Sequence, residues 1–290
     1  TEYKKKPLKK IIQACAGLWL EAIADDYSAS PGGTVTVKAA LINRSAAPVQ
    51  LKSLQLAGQS APTGVLHNLP NNRPVEHTFS HRIPADAPVS QPYWLEQPAQ
   101  GGRFEVKDAS LIGMPENAPA LSMQATLVIS GVDIDFEVPV AFRWRDQLDG
   151  DRYRPFEIVP KVTVDIEESA YIFTGTQPQS IRLRLRSGTA QISGAASLRL
   201  PSGWRAEPAS HPFALQQMED EISLVFSVQP PAQPSDAEVQ AVVEVDGERF
   251  SKSLVRIDYK HVPIQSYFPP ATARLVRLDL QKGDEKIGYV

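Results

Sequence analysis

The sequence predicts an all-β protein: two tandem Ig-like β-sandwiches with a short N-terminal amphipathic helix and a strand-bearing C-terminal tail. Three observations predict it. Apolar and polar residues alternate with period two through most of the chain, the mark of half-buried strands. The 25 prolines suit short strands joined by corners better than they suit helices. One order of elements also occurs twice. Around Phe79 the chain reads HTFSHRIPADAP and around Phe226 SLVFSVQPPAQP, each a strand running into a proline-bounded corner. Each is followed by a strand–turn–strand unit, TLVISGVDIDFEVPVAF with Ser130-Gly131 at its turn and AVVEVDGERFSKSLVRI with Asp246-Gly247.

The elements follow in order. Residues 1–24 form an N-terminal helical segment. Pro7 suits a first helical turn, and Leu8, Ile11, Ile12, Cys15, Leu18, Trp19 and Ala22 share one face at helical spacing, which predicts a helix over 7–24 docked on something. The lysine-rich start imitates a secretory leader. However, only two apolar residues separate Lys10 from Gln13, and Glu21 closes a segment far short of the ~20 residues a membrane span needs. The first sandwich occupies 25–146. Val35, Val37, Ala39 and Leu41 alternate cleanly, and an apolar parity slip between Leu51 and Leu54 predicts a bulge or a short turn. The arm from Val132 to Trp144 keeps strict alternation and reads as the strongest strand, with Pro139 marking an edge or bulge. Residues 147–160 are polar, contain Gly150, Pro155 and Pro160, and read as an interdomain linker. The second sandwich occupies 161–260. Residues 261–290 form a tail in which ARLVRLDL reads as a strand and IGYV as the start of another, leading into a downstream module.

Composition excludes several functions. The chain of 290 residues has the length of about two domains. Its net charge of −3 offers no global field for nucleic acid or an anionic membrane. The single cysteine, Cys15, leaves neither an intramolecular disulfide nor a cysteine-based zinc site. The sequence lacks G-x-S-x-G, H-E-x-x-H, a phosphate-binding glycine loop and a dinucleotide fingerprint, so no catalysis and no cofactor are expected within it.

The candidate contact residues lie where the repeat is unequal. Between corner and final hairpin the first sandwich carries a loop at about 90–119 that the second lacks. Its Tyr93, Trp94 and Phe104 are aromatics of the kind that stack on sugars or anchor interfaces, or else fold back over the sandwich end. Trp19, Trp144 and Trp204 are expected in the core or in domain packing. His77 and His81 share one side of a strand and read as surface rather than metal ligands. Arg182, Arg184 and Arg186 read as a solvated sheet face or a charge-protected edge. Neither Glu167-Glu168 nor Asp25-Asp26 forms a carboxylate dyad, because adjacent residues of an extended chain point apart.

Two resemblances add to this reading. The stretch LRLPSGWRAEP…FALQ…EISLVFSVQPPAQPSDAEVQAVVEVDG resembles the Ig-like domain associated with bacterial alpha-galactosidases. The stretches GLWLEAIADDYSASPGG, LINRSAAPV, IPADAPVSQPYWL, GMPENAP, PVAFRWRDQLDGDRYRPFEIVP and IDYKHVPIQSYFPPATARLVRLDL, in that order, resemble the region that follows the catalytic domain of large bacterial PIG-L (LmbE-like) deacetylases. That resemblance implies a parent enzyme that holds zinc through a His-Pro-Asp-Asp motif and deacetylates an N-acetylglucosaminyl sugar outside the cytoplasm, in the periplasm or beyond. The motif itself is not here: His211-Pro212 continues with Phe213, and no His-Pro precedes Asp25-Asp26. The implied role is a non-catalytic accessory region whose partners are the flanking domains of the same polypeptide. The alternative is a carbohydrate-binding module that takes a polysaccharide or glycan on the loop aromatics.

Overall fold

The computed structural model describes residues 2–61, 67–280, 283 and 288. The fold is all-β and built from Ig-like sandwiches, with one N-terminal helix. The chain divides into two compact units, Thr1–Val159 with Arg256–Ser266, and Pro160–Val255 with Tyr267–Val290.

The helix α1 spans Glu2–Cys15 and is shorter than the periodicity predicts. Gly17 stops it: its positive φ of 63° is the left-handed conformation that terminates helices, and its N–H donates to the Ala14 carbonyl. The chain then extends as β1, Leu18–Ala24, so the predicted helix over 7–24 is corrected here. LWLEAIA satisfies both periods. Tertiary pairing decides it, because β1 is hydrogen-bonded to one strand on each side, and a helix there would leave both neighbours open. Leu8, Ile11 and Cys15 of α1 are exposed rather than docked on their own unit.

The first unit continues with β2 (Ser28–Ala29), β3 (Thr34–Asn43), β4 (Val49–Leu56), β5 (Gln59–Ser60), β6 (His67–Asn68) and β7 (Pro74–Arg82). After the long loop come β8 (Ser122–Ile129), β9 (Val132–Pro139), β10 (Ala141–Asp146), β11 (Gly150–Pro155) and β12 (Glu157–Ile158). One sheet runs β11-β10-β1-β3-β7 and the other β5-β4-β8-β9, with β6 also on β4. The facing residues of β3, β4 and β8, from Val35 to Leu41, Val49 to Leu56 and Met123 to Leu127, interdigitate in one core. Each such aliphatic side chain contributes ~1.5–3 kcal/mol by leaving water. The parity slip after Leu51 is a β-bulge, where the register against β8 shifts between Leu51 and Ser53.

Two expectations change here. The long alternating arm from Val132 to Trp144 is two strands in two sheets. Pro139 ends the edge strand β9, buried Val140 makes the crossing, and β10 pairs with β1 and β11. Alternation survives because both halves keep the same side toward the core. The supposed linker 147–160 is also structured. Gly150, at φ 76°, closes a tight connection from β10 into β11, and β12 pairs in parallel with β2. Gly150 and Pro155 therefore mark a turn and a strand end, while Pro160 stands at the boundary between the two units.

The second unit comprises β13 (Val162–Ile166), β14 (Ala170–Phe173), β15 (Gln179–Ser187), β16 (Ile192–Arg199), β17 (Arg205–Glu207), β18 (Ser210–Leu215), β19 (Glu221–Gln229), β20 (Ser235–Val245) and β21 (Glu248–Phe250). The chain then passes through β22 (Val255–Ile257) and β23 (Gln265–Tyr267), a two-stranded pair that lies mostly in the return segment of the first unit, and re-enters the second unit as β24 (Thr272–Arg277). Its sheets run β13-β15-β19-β17 and β14-β24-β20-β16-β18, with β21 beside β20. The predicted tail is therefore corrected: β24 lies inside a sheet, parallel to β14 and antiparallel to β20, with Ala273 and Leu275 in the core. The IGYV expectation lies outside the described residues apart from Gly288. Both predicted turns form, Ser130-Gly131 and Asp246-Gly247, each with positive φ at both central residues, as tight hairpins require.

Candidate functional site

The first unit carries a cleft of about 1010 Å³ at the end of its sandwich, where β7 runs into the proline corner. The corner (Ile83–Pro92), the end of the long loop (Glu116–Leu121), the β9–β10 crossing, the β11–β12 segment and residues 263–266 line it. Proline sets its character. Seven lining residues are proline, so the walls are rigid, apolar and short of N–H donors. The corner is pinned to the sheet by Ser90, whose N–H donates to the Ile158 carbonyl at 2.7 Å while its Oγ accepts from Ile158 N–H at 2.9 Å.

Among the lining residues are a buried ion pair and the serine bonded to it. The Arg154 guanidinium donates to Glu157 Oε2 at 2.9 Å, with both side chains more than nine-tenths buried. Ser266 closes the set, donating its N–H to Glu157 Oε1 at 3.1 Å and its hydroxyl to Oε2 at 2.7 Å. These bonds explain why residues 256–266 belong to the first unit although the second unit flanks them in sequence on both sides. The same return segment brings Arg256 to Tyr27, donating to its hydroxyl at 3.0 Å, while Arg154 lies 3.9 Å over the Tyr27 ring. Burial pushes the Glu157 carboxyl above its ordinary value, against the opposing pull of Ser266 and Arg154. Nearby Asp26 is raised for the same reason, with Asp25 adding to it.

His77 and His81 are not plain surface. They share the inward side of β7 with buried Phe79, and the His77 ring meets Phe79 edge-on at 4.6 Å. His81 also lines the cleft. Its buried Nδ1 has no partner among the described residues, and burial lowers its pKa, so the ring is neutral near pH 7.

The loop aromatics form no common platform. Tyr93 is buried, its hydroxyl donating to the Met114 carbonyl at 3.0 Å and its N–H to Asn117 Oδ1. Trp94 stands edge-on to it at 4.9 Å and is half-buried, whereas Phe104 is exposed. Of the three tryptophans expected inside, Trp204 is buried, edge-on to Phe173 at 4.9 Å. Trp144 is half-buried, stacked on Phe142 with Arg152 5.5 Å from its ring. Trp19 is corrected to a surface position: it is 39% exposed on the outward side of β1, with the Arg44 guanidinium 4.6 Å over its ring. The arginine stripe lies on the interior strand β15, where Arg182 pairs with Glu167, Arg184 with Asp165, and Arg186 with Glu219 and Glu221.

Arg154, Glu157 and Ser266 were not singled out by the sequence reading. The two charges of RYRPFEI sit three apart in a stretch that reads as a polar linker, and their partner follows more than a hundred residues later. Among the described residues no group of three or more His, Cys, Asp or Glu side chains could hold a metal ion, and no helix is long and apolar enough to cross a membrane.

Comparison with known proteins adds little. No protein-family model and no curated protein matches the chain. Among solved structures, alpha-2-macroglobulin from E. coli is similar over 90% of this chain at 10% identity, with a TM-score of 0.28, and the chain spans 17% of that molecule's length. Red sea bream transglutaminase is similar over 93% of this chain and 33% of its own, at 10% identity and a TM-score of 0.33. A protein of unknown function from Porphyromonas gingivalis W83 is similar over 89% of this chain and 99% of its own, at 10% identity and a TM-score of 0.25.

Proposed function

We propose that this chain is a non-catalytic accessory region of a multidomain carbohydrate-active hydrolase, a PIG-L-type N-acetylglucosaminyl deacetylase acting in the periplasm or outside the cell, and that it holds and orients the neighbouring modules. The resemblance of its ordered stretches to such regions supplies the family. The observation that carries the scaffold role is the uncovered apolar stripe of α1. Leu8 and Ile11 are each more than half exposed, so the helix offers a face that its own sandwich does not use. The polar groups of greatest chemical interest are spent within the fold. Glu157 is filled by Arg154 and Ser266, and the arginines of β15 by their carboxylate partners.

The second reading, a carbohydrate-binding module on the long loop, rests on the exposed ring of Phe104 and the half-buried Trp94. Two measurements separate the readings. The chain is mixed with the separately expressed deacetylase domain of its parent polypeptide, and it is screened against a glycan array beside Trp94→Ala. Saturable binding to the domain, lost in Leu8→Glu/Ile11→Glu, is the expected result. Glycan binding abolished by Trp94→Ala, with no affinity for the domain, would replace the scaffold with the binding module.

A further inference from the structure

The cleft of the first unit has proline and aliphatic walls and two exposed carboxylates, Asp86 and Glu116. Several of its side-chain donors are committed: Arg154 and the Ser266 hydroxyl to Glu157, Tyr153 to Glu21, and Asn117 Nδ2 to the Gln91 carbonyl. Its prolines have no N–H to give. The carbonyls of Pro88, Val89, Ala118 and Pro119 accept no hydrogen bond from any described residue. Charge points the same way. The Arg154 charge is matched by Glu157, whereas the exposed carboxylates of Asp86 and Glu116 make no ion pair among the described residues. A ligand that complements this surface has an apolar body to lie on proline and aliphatic walls, and positively charged donors for the free carbonyls and carboxylates. The volume of about 1010 Å³ stands at the top of the range for a single small ligand.

We propose that this cleft is a docking site for an extended, lysine- or arginine-bearing peptide segment of a partner protein. Its apolar residues pack on Val89, Pro119 and the neighbouring prolines, and its basic residues reach Asp86, Glu116 and the free carbonyls. The proposal goes beyond the scaffold role and does not depend on which enzyme is the parent.

The test is fluorescence anisotropy with a labelled lysine–leucine–proline hexapeptide and its glutamate counterpart, on the full chain. The basic peptide is expected to bind saturably and the acidic one not at all. Asp86→Asn/Glu116→Gln is expected to weaken binding about tenfold, with a reduced salt dependence. Both positions are exposed, so the variant keeps its fold, and thermal unfolding checks this. The control, Asp133→Asn/Asp135→Asn on β9, removes the same charge away from the cleft and is expected to leave affinity unchanged. An equal loss in the control, or no loss in the cleft variant, overturns the proposal. Spermine competing as well as the peptide would make the site one for a small polyamine. A peptide of residues 2–15 binding more tightly, with concentration-dependent self-association of the chain, would make the occupant a second copy. Either result also overturns it.

Discussion

Among the described residues each unit buries one arginine, and the two are handled differently. Arg154 in the first unit and Arg277 in the second each expose only 6% of the side chain, and each has a buried Nε without a partner among the described residues. Arg154 faces a carboxylate as buried as itself, so two charges have left water. Arg277 reaches Asp279, 2.5 Å away and 67% exposed, so its partner stays hydrated. The difference teaches where a polar group is structural. A fully buried pair is costly to assemble and more costly to break, because loss of one partner strands the other charge. A pair with one end in water loses little when that end is removed. The first unit has accepted the costly version where the chain returns to it before the second sandwich is complete, since Ser266 is held by the same carboxylate.

The sharpest way to break this comparison is Glu157→Ala. It strands Arg154 and frees Ser266, and should destabilise the first unit by about 3–5 kcal/mol. Three of the four tryptophans, Trp19, Trp94 and Trp144, lie in that unit, so denaturant unfolding followed by fluorescence reports it. Hydrogen exchange should show protection lost in residues 256–266 while the second unit keeps its own. A loss below about 1 kcal/mol would mean that the pair is no more than a surface pair.

The second unit should break through packing instead. Trp204→Ala removes a ring wedged against Phe173 and is expected to cost about 3–5 kcal/mol, confined to residues 160–255 and 267–280. Gly194→Ala tests the same core from the backbone. A Cβ there would lie 2.1 Å from the Glu244 carbonyl oxygen, so β16 and β20 must separate, at a cost of about 1–3 kcal/mol. Each variant removes the fluorescence or exchange signature of one unit, and a matching loss in the other would show that the two do not unfold independently.

A titration gives a smaller, signed effect. The folded state binds the Glu157 proton more tightly than the unfolded chain does, because burial outweighs Arg154 and Ser266. This group's contribution is therefore fully present below the unfolded value near 4.5 and is lost as pH rises through the raised folded value. The stability of wild type relative to Glu157→Gln should fall across that window and be flat on either side. A difference that instead grew with pH would reverse the assignment and make the ion pair the dominant influence.

The sequence made the sandwiches legible wherever one face of a strand meets the core and the other meets water. Val35–Leu41 and the two hairpin turns are of this kind, since period two and a left-handed turn pair depend on neighbours alone. It misled where two physical signals coincide. Leu18–Ala24 fits both periods, and only its place between β3 and β10 makes it a strand. Val132–Trp144 alternates without a break because the change of sheet preserves sidedness. The candidate site was the least legible part, because Arg154, Glu157 and Ser266 meet through contacts that no local pattern encodes. The loop aromatics were visible as aromatics, but the bond from Tyr93 to Met114 that withdraws one of them was not.

The smallest expected effect is Asp279→Asn, and it is the one that isolates hydration from burial. The variant keeps an acceptor oxygen near the Arg277 guanidinium but removes the charge. Arg277 also donates to the Ala232 carbonyl at 3.3 Å, so the guanidinium keeps a second partner. Because the carboxylate is mostly in water, it gains little from the pair that it does not already gain from solvent, and the cost should stay below about 1 kcal/mol. A cost approaching that of Glu157→Ala would mean that the burial of the arginine alone decides what its partner is worth. Burial of both partners, rather than the presence of an ion pair, would then cease to be what separates the two units.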